Sequence, residues 1–61
     1  MTLSEYILEY GMWVNKSTAK KILGLIPFNV VDPTPHAFPG RSHPLYLTEE
    51  VVKKGKSFFV G

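Results

Sequence analysis

Apolar residues recur along this chain at helical spacing in its N-terminal third and again near its end, with a run rich in prolines between. Leu3, Tyr6, Ile7 and Tyr10 fall at i, i+3, i+4 and i+7, the stripe of an amphipathic helix. Thr2-Leu3-Ser4-Glu5 matches a capping box, in which a Thr hydroxyl and a Glu three residues on satisfy the first turn. Gly11 closes that helix, and Met12, Trp13 and Val14 carry the chain to Asn15, a good N-cap residue. From there Ala19, Ile22 and Leu23 share one face of a second helix, with Lys16, Ser17, Lys20 and Lys21 opposite. Gly24 supplies a left-handed stop. Two short helices joined by about four residues that include a glycine form a helix-turn-helix pattern. Trp13 is expected between them as a core anchor, since an indole buries a large apolar area.

Beyond Gly24 the helical period ends. Phe28-Asn29-Val30-Val31 reads as a short β-strand. Residues 32–44 hold four of the five prolines, a density no regular element survives. Leu45-Tyr46-Leu47 reads as the return strand, with Leu45 and Leu47 on one face. Thr48 is placed to cap a third helix over residues 49–54, with acids early and lysines late as the helix dipole favours, and Gly55 to stop it. The apolar tail around Phe58-Phe59-Val60 is expected to pack on the core. The pattern predicts an α+β fold, a small winged helix-turn-helix in one domain, residues 1–61. The helix-turn-helix covers residues 2–24, a two-stranded β-hairpin wing 28–47, the closing helix 48–54 and the tail 55–61.

Composition narrows the class. Sixty-one residues allow one small core and a stability of roughly 3–9 kcal/mol. With 44% hydrophobic and 13% aromatic residues, the chain is rich enough to fold. It has no cysteine, so neither a disulfide nor a thiolate zinc site is available, which fits a cytosolic setting. No apolar run approaches the roughly 20 residues of a membrane span. Acids at Glu5 and Glu9, with no positive leader, do not match a signal peptide. The net charge is only +2. Its distribution is more informative: two acids and no base precede Lys16, while six of the seven bases lie between Lys16 and Lys54.

Catalysis finds little to stand on. The carboxylates Glu5, Glu9, Asp32, Glu49 and Glu50 suit helix solvation and helix N-termini, with nothing to force two into one cleft. His36 and His43 have only Asp32 nearby as a further ligand, no serine lies in a nucleophile elbow, and no glycine-rich phosphate loop is present. The expectation is a protein that is not an enzyme and holds no cofactor or metal. Two clusters suit nucleic acid instead. Asn15, Lys16, Ser17, Thr18, Lys20 and Lys21 offer hydrogen bonds to base edges and ammonium groups for phosphates. His36, Arg41, Ser42 and His43 ride the proline loop, where an Arg beside a Gly can enter a minor groove or hold its phosphates. The plain alternatives are a solvated lysine face and a stiff surface loop.

In this order of features the chain resembles the phage excisionases, or recombination directionality factors, and through them the MerR-like winged helices. The matching pieces are Thr2-Leu3-Ser4-Glu5, the second helix from Trp13 to Leu23, and Gly40-Arg41 leading into Leu45-Tyr46-Leu47-Thr48-Glu49-Glu50-Val51. The resemblance implies a non-catalytic protein that bends double-stranded DNA at repeats of an attachment site in a bacterial cytoplasm. Such a protein binds cooperatively with itself and with a tyrosine integrase, favours excision, and is a monomer off DNA. Carried onto this chain, Lys16, Ser17, Thr18, Lys20 and Lys21 face the major groove and Arg41 with its neighbours the minor groove. The same winged helix also suits a transcriptional repressor. A reading of another class is a small phage-type protein that meets a host or viral protein through Pro33, Pro35, Phe38, Pro39 and the Phe58-Phe59 tail.

Overall fold

In the computed structural model, which describes residues 2–60 and side chains through Phe58, the N-terminal capping box is formed. The Thr2 N–H donates to Glu5 Oε1 at 2.8 Å and the Glu5 N–H donates to Thr2 Oγ1 at 3.3 Å. The bond from the Thr2 backbone, then that with its side chain, hold the Glu5 carboxyl below its ordinary 4.5. Helix α1 (Leu3–Tyr10) follows, and Gly11 ends it at φ +90, donating to the Ile7 carbonyl. Leu3, Tyr6, Ile7 and Tyr10 are all half-buried; α1 lies on the core without entering it fully.

Residues 12–14 are not merely a turn. Trp13–Val14 forms strand β1, which pairs antiparallel with strand β2 (Tyr46–Leu47), Trp13 opposite Leu47 and Val14 opposite Tyr46. Helix α2 (Lys16–Leu23) begins at once, with Asn15 as its cap: Asn15 Oδ1 accepts from the Thr18 N–H at 2.8 Å, worth about 1 kcal/mol. Gly24 ends α2 at φ +66.

The predicted strand over residues 28–31 is a helix. Phe28–Val31 forms one turn, α3, because Pro27 starts it at φ −63 and its carbonyl accepts from the Val30 and Val31 N–H groups. Asp32, left-handed at φ +46, closes the turn by donating to the Phe28 carbonyl. Those local bonds and the burial of Val31 outweigh the β preference of a Val-Val pair. The hairpin wing over 28–47 is corrected with it. The return strand pairs with β1 instead, and the wing is the proline loop, closed by a His36–Leu45 bridge with bonds of 2.9 and 3.0 Å.

Helix α4 (Thr48–Val60) runs through Gly55 rather than stopping there, so residues 55–60 are helix, not a separate tail. Thr48 is fully buried and does not spend its hydroxyl on its own helix: Oγ1 donates to the Gly11 carbonyl, and its N–H to that of Met12. Phe58 is exposed rather than packed; the side chains of Phe59 and Val60, the rest of that expectation, lie outside the described residues, as do Met1 and Gly61. Helix α4 packs on α1, α2, α3 and β2. Between them lies the core of Val14, Ala19, Leu23, Val31, Tyr46 and Val51, with Tyr10, Ile22, Ile26 and Phe28 around it. The result is α+β, four helices and a two-stranded antiparallel sheet among the described residues, an arrangement consistent with a winged helix-turn-helix. Among the described residues no helix is long and apolar enough to cross a membrane.

Candidate nucleic-acid interface

Burial of Ala19 and Leu23 orients α2. With those two turned into the core, Lys16, Ser17, Lys20 and Lys21 are left exposed. Lys16–Lys20 and Ser17–Lys21 are i, i+4 neighbours, so the four make one continuous outer surface. Thr18 sits at the edge of it, half-buried. Asn15 has its side-chain oxygen engaged on the helix end. The amide nitrogen is what it has left to offer a ligand.

The first turn of α2 and the proline loop face one open cleft of about 370 Å³. Asn15, Lys16 and Ser17 line it from the start of α2, Arg41, His43 and Pro44 from the loop, and Tyr46 from β2. The cleft has two cations and no acid among its lining residues. Lys16 is steadied by Phe28, its Nζ 5.4 Å from the ring centre, a contact worth roughly 0.5–1 kcal/mol at an exposed site. Phe28 in turn meets Tyr46 edge to face at 5.2 Å. Among the described residues the ion pairs are Lys53–Glu49 and Lys54–Glu50, both within α4. Lys16, Lys20, Lys21 and Arg41 are therefore uncommitted to the protein's own acids.

Two members of the second cluster stand apart from this cleft. His36 joins the Leu45 bridge through its backbone and puts its ring on Trp13, 5.1 Å between centres. Ser42 lies at the loop tip, in a shallower hollow of about 250 Å³ shared with Gly40, Arg41 and His43. Trp13 is not the anchor between helices that its size suggests. It is 37% exposed and covered by the loop. Sequence reasoning missed Tyr46 in the cleft lining and Phe28 behind it, against Lys16 and Tyr46. Period-two alternation holds a signal for Tyr46, which points opposite to Leu45 and Leu47; for Phe28 there is none, because the β-prone run 28–31 reads as a strand.

Comparison with protein-family models, with curated proteins and with solved structures finds no match to this chain.

Proposed function

We propose that this chain binds double-stranded DNA, with the outer surface of α2 in the major groove and the proline loop over the adjacent backbone and minor groove. One observation carries the reading: Lys16 and Ser17 stand across a single cleft from Arg41 and His43, with no carboxylate in its lining. A cleft walled by cations on two separate elements suits a chain of phosphates passing between them. On the resemblance set out above, the finer proposal is an excisionase-type accessory factor. It bends attachment-site DNA in a bacterial cytoplasm, binds cooperatively, and steers a tyrosine integrase toward excision without catalysing a step itself.

Replacing Lys20 and Lys21 together by Ala tests the core of this. Both side chains are exposed, so thermal unfolding stays nearly unchanged while duplex binding in a gel shift is lost. Wild-type protein retards random duplex at low salt and loses it at high salt. No retardation of duplex at low salt, or equal retardation by the double variant, removes the reading. The protein-partner alternative draws support from the exposed Phe58, although Phe38 is half-buried against Trp13. Pull-down from nuclease-treated lysate separates the two, because only a protein partner survives the nuclease.

A further inference from the structure

Duplex binding as proposed leaves Trp13 without a role, yet its surroundings are specific. Its ring meets Phe38 at 4.9 Å and 82° and His36 at 5.1 Å and 72°. Both are the edge-to-face geometry that aromatic pairs favour. Phe38 opens the turn Phe38-Pro39-Gly40-Arg41, in which the Arg41 N–H donates to the Phe38 carbonyl at 3.2 Å and Gly40 has φ +81. Proline second and a positive-φ glycine third is the type II pattern. Arg41 is thus one closed turn away from the ring that Trp13 holds.

On its other side Trp13 leads directly into the opposite wall. Val14 is buried, Asn15 caps α2, and Lys16 and Ser17 begin it. Among the described residues, no backbone hydrogen bond ties residues 37–44 to the body of the protein. Past the His36–Leu45 bridge, side-chain contact has to hold the loop, and Trp13 supplies it.

We propose that Trp13 is a positioning residue. By holding Phe38 it sets, through the Pro39-Gly40 turn, where Arg41 stands across the cleft from Lys16. It touches no ligand itself.

The first arm of the test needs no DNA. In the free 15N-labelled protein, the heteronuclear NOE of Gly40 and Arg41 matches that of α2. In Trp13→Ala it falls over residues 37–43 and holds in α2. Phe38→Ala reproduces the fall from the loop side without touching β1, and Trp13→Phe retains most of the rigidity. The second arm rests on the duplex-binding reading. Trp13→Ala weakens duplex affinity about tenfold and makes the log-affinity against log-salt slope shallower by about 1. In an Arg41→Ala background it weakens binding by no more than about twofold further, because the residue it positions is already gone. Unchanged NOE values in both Trp13→Ala and Phe38→Ala overturn the proposal. So do losses that multiply with Arg41→Ala, since Trp13 would then be contacting DNA. A loosened loop in Trp13→Ala and Phe38→Ala together with no duplex binding by the wild type at low salt keeps the positioning role and removes the duplex reading.

Discussion

Gly55 sits inside α4 where a side chain has no space. A Cβ there would lie 2.8 Å from Leu23 Cδ2 and 3.9 Å from Ile26 Cδ1. Leu23 is 4% exposed and part of the core, so it cannot simply swing into solvent. A small hollow of about 50 Å³ beside it, lined by Ile22, Ile26, Val51 and Val52 among others, gives it partial room to yield. Overpacking of this kind costs about 1–3 kcal/mol, while Gly to Ala in a helix interior returns about 1 kcal/mol. Gly55→Ala should therefore be destabilising by about 1 kcal/mol in urea unfolding. Combined with Leu23→Val, it should cost less than the two single changes added together, because the methyl in the way has moved. A Gly55→Ala variant more stable than the parent would mean that α2 and α4 do not need this close approach. Taken along the chain, the same glycine looks like a helix stop. Its real partner is on another helix, and spacing within one helix carries no trace of it.

At the scale of elements, what could be read in advance is what neighbours in sequence decide. The capping box at Thr2 and Glu5, the Asn15 cap, the Gly11 and Gly24 stops and the outward lysines of α2 all depend on contacts within about four residues. Strand pairing does not. Residues 13–14 and 46–47 are a two-residue match across the whole molecule, too short for alternation to announce. Without it the return strand's natural partner is the nearest β-prone run, Phe28–Val31, which Pro27 and Asp32 turn into a helix instead. The loop after α3 is held in a way the sequence also conceals. Glu50 Oε2 accepts from the Thr34 N–H at 3.0 Å, the Thr34 hydroxyl at 2.9 Å and Lys54 Nζ at 3.1 Å. Partial burial pushes the Glu50 carboxyl up, but the bonds from Thr34 and Lys54 and the Lys54 charge outweigh it and hold the group below 4.5. A carboxyl depressed in the folded state adds stability that is full above its unfolded value and is lost as pH falls through the lower folded one. Glu50→Gln keeps an acceptor for Thr34 but loses the charge, and should cost about 0.5–1.5 kcal/mol at pH 7. The gap from wild type should narrow steadily as urea titrations are repeated below pH 4.5. A gap that stays constant into strong acid would mean that the carboxylate does not anchor the loop to α4.

For the molecule as a whole, the arrangement of charge decides more than its sum. A net charge of +2 is too small to drive much nonspecific attraction to DNA. Read from the sequence, a winged helix on DNA is expected to make about five phosphate contacts, with a slope of roughly −4 to −5 in log affinity against log salt. The fold lowers that count. Lys53 and Lys54 are tied to Glu49 and Glu50 on their own helix, whereas Lys16, Lys20 and Lys21 on α2 and Arg41 across the cleft pair with no acid among the described residues. Lys56 also has no ion pair among the described residues but lies on α4. The four cations of α2 and the facing loop predict a slope near −3.6, so that duplex affinity drops roughly 100- to 200-fold between 50 and 200 mM salt. Fluorescence anisotropy over that range, repeated on variants, checks both the number and its origin. Lys21→Ala and Arg41→Ala should each make the slope shallower by about 1, and Lys53→Ala should leave it unchanged. If Lys53→Ala shifts the slope as much as Lys21→Ala does, DNA is attracted by the protein's overall charge, and the surface of α2 with its facing loop loses its claim to be the interface.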